Sequence, residues 1–308
     1  MRLELLCACA LVAASLCLQS PPPAPPAPPT PVPTSSPSPP GPSPTPSPAT
    51  PAPTPPSRTP GPPGELLARH ARTIDDAVDH ALRERPVRLD ILAFLKWLND
   101  VRPRSGVPEA VERGYHALRD PTDRTTLQAY LRILNESHRE PGDPCALRPT
   151  ASWDCIVLRG LYCDLQEPPP GHLARAEDMG RGVGYTATHV FLGLLLLRER
   201  GCLDRAEVEE AIGRLGDSIA AETASRLARG AVHWDLFAEQ VHFLLKAGLC
   251  GKVRVEWVES LADRLESRIR YMNPVSPDFH NANPHEVLQE ALVVLLWERC
   301  LASAPRSP

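Results

Sequence analysis

Several polar side chains stand where their surroundings are apolar. His189 closes Tyr185-Thr186-Ala187-Thr188-His189 and leads directly into the apolar run Val190–Leu197. A helix apolar on every side is buried on every side. A histidine at its start is either an imidazole satisfied by a Thr hydroxyl or a backbone carbonyl, or a ligand or general base at a cavity edge. Asp235, Glu239 and His242 fall at i, i+4 and i+7, one stripe of a helix, and Lys246 continues the stripe at i+11. Such a stripe is an ordinary solvated face, or, if it faces a cavity, an acid–base or metal-ligating set. His285 and Glu286 open the last helical stretch, where Glu286 has a sufficient reason in the helix dipole. HEVLQ at 285–289 is not H-E-x-x-H.

His189, Glu239 and His285 are the candidate catalytic residues. Two imidazoles and one carboxylate are also a set that holds zinc with an open position, so the same three are the candidate metal ligands. Tyr185, Asp235, His242 and Asp164 are candidate binding residues. Asp164 follows a helix end, where an acid is unfavourable unless paired.

Helices must position these residues, because the chain has almost no period-2 alternation. Glu65–Arg85 carries Leu66, Leu67, Ile74, Val78 and Leu82 on one face, and Pro86 ends it. Leu89–Val101 follows, then a helix opened by Pro108, then an amphipathic stretch, Asp120–Glu136. Glu140–Pro149 is a Pro- and Gly-rich break and a candidate boundary between an N-terminal helical part, 64–149, and a second part, 150–304. In the second part Ser152 and Asp204 stand at N-cap positions. Pro168–Pro170 interrupts, and Gly180–Gly184 reads as a loop. Helices are expected at Tyr185–Arg200, Arg205–Arg229, Trp234–Ala247, Val255–Arg270 and Asn283–Cys300.

Six cysteines follow residue 20: Cys145, Cys155, Cys163, Cys202, Cys250 and Cys300. They are disulfide candidates in an exported chain, and buried thiols otherwise. Four of them end apolar stretches, spaced by 39, 48 and 50 residues. That interval fits one helical hairpin per unit, each unit burying its apolar face on the next. The expected class is all-α, with hairpin repeats forming an α/α toroid or a curved solenoid.

The segments GYTATHVFLGLLLLRERGC (184–202), DLFAEQVHFLLKAGL (235–249) and PHEVLQEALVVLLWERC (284–300) resemble the inner helices of α/α-toroid proteins, the superfamily of terpenoid cyclases and protein prenyltransferases. The resemblance implies architecture alone. The D-G-G-W/F turns and the acidic D-x-D-D motif of those enzymes are absent.

Residues 1–20 read as a signal peptide, with an apolar stretch at Leu5–Leu18 too short to span a membrane. Cys17 is the position a lipid anchor would use, although Leu16 stands where lipoprotein signals carry Gly, Ala or Ser. Positions 21–63 hold 23 of the 38 prolines and one charge, Arg58. This stretch reads as a disordered polyproline stalk. The expected location is therefore periplasmic, cell-envelope or extracellular, with membrane contact only through the N-terminus. A net charge of −4 with interleaved signs excludes a bulk nucleic-acid surface. The expected function is a secreted or envelope-tethered helical-repeat domain that binds a protein or small-molecule ligand. The alternative is a metal-dependent or acid–base hydrolase or lyase at the toroid mouth. No cofactor other than zinc is suggested.

Overall fold

The computed structural model describes residues 61–83, 88–119, 127–139, 143, 145, 152–271 and 283–303. The signal-like segment and nearly all of the proline-rich stretch lie outside them. Among the described residues there are eleven α-helices and no strand. They are α1 (Glu65–Arg83), α2 (Leu89–Val101), α3 (Val107–Arg119), α4 (Leu127–Tyr130), α5 (Trp153–Tyr162), α6 (His172–Gly180), α7 (Tyr185–Arg200), α8 (Arg205–Ala228), α9 (Trp234–Lys246), α10 (Val255–Tyr271) and α11 (Pro284–Ser303). No described helix is long and apolar enough to cross a membrane.

Five helices lie side by side in the order α5, α7, α9, α11, α2. Pairings at both ends show that they point the same way. Tyr185 meets Asp235 at the starts of α7 and α9, and Arg198 donates to the Ala247 carbonyl at their ends, 2.9 Å. His285 meets Asp235 at the starts of α11 and α9, and a Cys250–Cys300 disulfide joins their ends. Cys163–Cys202 likewise joins the ends of α5 and α7. The third bridge, Cys145–Cys155, spans ten residues. Three disulfides suit an oxidising compartment.

Return helices run antiparallel outside this row. Arg264 and Arg268 of α10 reach Glu290 and Glu286 of α11, and the start of α8 lies toward the end of α7. Leu67 N–H at the start of α1 donates to Glu298 near the end of α11, 3.0 Å away, and Gly64 N–H binds the same carboxylate. Thus α1 and α2, which precede the 140–149 break, pack on α11, the last helix, within one continuous core.

Local sequence explains the boundaries. Asp204 caps α8 by accepting from Ala206 and Glu207 N–H. Ser152 occupies the N-cap of α5 but its side chain caps nothing. Val190–Leu197 is buried all round, as its composition requires. The amphipathic 120–136 stretch is a correction: within its described part, α4 gives way to a 3-10 turn at Leu131–Ile133. There Arg132, 2% exposed, turns inward to Asp164 and lies over the Tyr162 ring. Helix α6, after the triple proline, was not expected. Its entry is Gly171, whose φ of 74° suits glycine.

The tightest contact is between α5 and α7. A Cβ on Gly160 would stand 2.6 Å from the Gly193 carbonyl oxygen, and one on Gly193 would stand 3.0 Å from the Ile156 oxygen. Backbone cannot retreat as a side-chain tip can. Gly160→Ala is therefore expected to lower stability by about 1–3 kcal/mol in urea unfolding, despite alanine's better helix propensity. Unchanged stability would show that the two helices are free to move apart.

Candidate functional site

The starts of α7, α9 and α11 bring Tyr185, His189, Asp235, Glu239 and His285 together. Tyr185 sits on the first turn of α7 because Gly184, at φ 68° and ψ −142°, swings the chain into the helix. The Gly184 N–H is held by both oxygens of Glu222 on α8, at 3.0 and 3.1 Å. Asp235 lies in the first turn of α9, and His233 caps that helix by accepting from Leu236 N–H. Asn283 holds the start of α11 by accepting from His285 N–H, 3.2 Å.

Two ionisable pairs result. His285 Nδ1 lies 3.2 Å from Asp235 Oδ1, and the Tyr185 hydroxyl donates to Asp235 Oδ2 at 2.6 Å. The same hydroxyl is 3.3 Å from Nδ1 of the exposed His233, so the chain of contacts runs from the core to the surface. Burial opposes charge on His285, but the hydrogen bond and charge of Asp235, aided by Asp90 and Glu239, raise its pKa above the usual value. Burial likewise pushes Asp235 up, but His285 and Tyr185 outweigh it and hold the carboxyl below its usual range. Both shifts favour the ion pair. Burial and the bond to Asp235 keep Tyr185 protonated.

The second pair is His189 with Glu239, 3.5 Å from Nδ1 to Oε1. His189 Nδ1 is also 2.7 Å from the Tyr185 carbonyl oxygen, and its ring packs on Trp153 at 4.2 Å. Burial raises the Glu239 pKa, with His189 opposing. His189 is thus held by a backbone carbonyl, one of the partners expected for it, and also faces a carboxylate.

The three residues proposed as zinc ligands are divided between these pairs. Glu239 turns to His189 and His285 turns to Asp235. Among the described residues no group of three His, Cys, Asp or Glu side chains is placed to hold one metal ion. Glu286, on α11, turns outward to α10, where it binds Arg268 and Arg264. Asp164 lies at the opposite end of the row, paired with Arg132 at 2.6 Å and Arg200 at 3.6 Å, which answers the unfavourable helix end.

His242 differs from the rest of its stripe. It is fully buried, among Phe94, Trp97 and Phe243, with ring centroids at 5.7, 5.7 and 4.7 Å, and neither ring nitrogen has a hydrogen-bond partner. Burial, then Lys246 and His285, depress its pKa well below the ordinary value, so it is neutral. It lines a cavity of about 280 Å³ that opens at the finishing ends of α2, α9 and α11. Lys246 stands at this mouth, 3.3 Å from Glu199 and over the Trp97 ring at 5.0 Å. Spacing alone placed His242 on the same face as Asp235, but did not show that this face points inward or that a cavity ends there. Trp97 and Phe94, which enclose it, come from a helix nearly 150 positions earlier and carried no functional signal.

No family model, no curated protein and no solved structure matches this chain.

The neutral state of His242 has a measurable consequence. Between about pH 7.5 and 5 the unfolded chain protonates this residue while the folded chain does not, so acidification favours unfolding through it. His242→Leu is expected to remove up to about 2 kcal/mol of the stability lost over that range. Denaturant titrations at the two pH values check this. An identical acid-induced loss in both proteins would mean that His242 takes up a proton in the fold.

Proposed function

We propose that the protein is an exported helical-repeat domain, of α/α-toroid or curved-solenoid form, that binds a ligand rather than transforming it. The parallel row of inner helices with antiparallel helices outside supports the architecture. The disulfides and the signal-like N-terminus support export. One observation carries the choice of function. The ionisable groups at the helix starts spend their contacts on one another, whereas His242, in the wall of a cavity, presents both nitrogens to no protein group. The cavity beside it, bordered by Leu245, Leu292 and Leu296 with charged side chains at its mouth, lies at the small end of the range of ligand sites.

Fragment screening by heteronuclear NMR on the disulfide-bonded protein tests this. Fragments are expected to perturb resonances of His242, Leu245 and Leu292 and to compete with one another. Fragments that collect only around Tyr185 and His233 would overturn the placement of the site.

A hydrolase or lyase is favoured by a different observation, the Asp235–His285 pair whose Nε2 has no partner. That reading requires reactants to reach His285 Nε2. The His285 side chain is 4% exposed and its ring meets Phe94 edge-on at 4.8 Å. Diethyl pyrocarbonate labelling separates the two. The binding reading expects exposed His233 to be labelled while His189, His242 and His285 are spared. Prompt labelling of His285 would favour the acid–base enzyme.

A further inference from the structure

A second cleft, of about 710 Å³, lies between the triple-proline turn, the start of α6 and the first turns of α8. It shares no lining residue with the cavity beside His242, and its volume falls well within the range of ligand sites. Pro168–Pro170, Leu173 and Leu203 give it apolar walls.

Its charge is one-sided. Glu167, Glu177, Glu207 and Glu210 stand around it with Arg214. Arg214 is engaged by Glu177 and Glu210. Among the described residues the carboxylates of Glu167 and Glu207 have no partner. Four carboxylates and one guanidinium leave an excess of three negative charges. The start of α6 opposes them with only roughly half a positive charge. His172, in the first turn of α6, adds none, because burial, then Arg159 and Arg175, push its pKa down to about 4.

Acids alone would make a solvated rim, but the floor of this cleft differs from a rim. His172 is 5% exposed, and what remains open of it lies in the cleft. Its Nε2 is enclosed without a partner, whereas its Nδ1 is not enclosed and bonds no protein group. With the ring proton on Nε2, Nδ1 is an acceptor for a guest's N–H. An anion would meet like charge here. A neutral apolar guest would leave the acceptors to water. A guest that brings both N–H donors and positive charge answers the floor and the rim together.

We infer that this cleft binds a small organic amine in its ammonium form, with its N–H donors toward Glu167, Glu207 and His172 and its apolar body against the proline and leucine walls. The site is separate from the ligand cavity proposed above, and either can fail without the other.

The probes are benzylamine, its neutral near-isostere benzyl alcohol, and benzoate, titrated at neutral pH and low ionic strength into the full disulfide-bonded chain and followed by NMR. Benzylamine is expected to shift the His172 ring signals and the resonances of 203–210 saturably, about fivefold more tightly than benzyl alcohol, the worth of two exposed ion pairs. High salt should shrink that ratio toward one. Glu167→Gln combined with Glu207→Gln should remove the preference while benzyl alcohol binds as before. Ala174→Trp, at an exposed position of α6, fills the cleft without disturbing the core and should abolish both. Equal affinity for benzylamine and benzyl alcohol, or tighter binding of benzoate, would overturn the ligand class. Benzylamine binding that survives Ala174→Trp, or no saturable shift at the cleft, would overturn the site. None of these outcomes bears on the cavity beside His242, which is tested through Leu245 and Leu292.

Discussion

Five helices lying side by side and pointing the same way gather their positive ends at one side of the molecule and their negative ends at the other. Each end carries roughly half an elementary charge, so the arrangement repels itself unless side chains answer it. They do. Asp90, Asp154, Asp235 and Glu286 occupy the first turns of α2, α5, α9 and α11. Helix α7 has no acid in its first turn and borrows Glu222 from α8, which binds the Gly184 N–H. At the other end Arg159, Arg198, Arg200 and Lys246 stand in the last turns of α5, α7 and α9. The network around His285 follows from the same constraint. Positive charge at a helix start is in the wrong place, and it is the Asp235 carboxylate beside His285 that favours it there.

The α9 stripe can be read along this axis. Asp235 and Glu239 face the positive end of the row, Lys246 faces the negative end, and His242 stands between them without charge. The stripe is not a solvated face, since Glu239 and His242 are buried. It is one side of a polar seam through an apolar interior, complementing the row's dipoles at both ends. Gln289 on α11 continues the seam: it is fully buried and neither of its amide atoms is paired. The seam is satisfied where it meets opposite charge and unsatisfied toward its middle.

Much of the architecture was legible because local signals and burial agreed. Val190–Leu197 had to be interior, and Asp204 and Asn283-Pro284 marked helix starts that the structure repeats. Legibility failed where a distant partner decides. Arg132 breaks the 120–136 stretch because Asp164 and Tyr162, some 30 residues away, bind it. Glu222 and Glu298 bind the N–H groups of Gly184 and Gly64, at the starts of α7 and α1, 38 and 234 residues away. The candidate site was legible as a list of residues but not as a set of pairs. Spacing put His189 and His285 at equivalent helix starts, yet which carboxylate each would choose depends on how α7, α9 and α11 are rotated. The link from His242 to Trp97 depends on α2 joining the row beside α11, which no short-range pattern announces.

An unpartnered imidazole in such a core has a cost of about 1–3 kcal/mol for each orphaned polar atom. Leucine would fit among Phe94, Trp97 and Phe243 with no such cost, and would also remove the sensitivity to acid. Dipole compensation does not call for histidine here either, because a neutral ring in mid-helix answers neither end. The other buried histidines of the row, His189 and His285, each have a carboxylate within reach. For His242 the fold supplies no such partner, and the cost of its two unpaired nitrogens stays in the core beside the cavity.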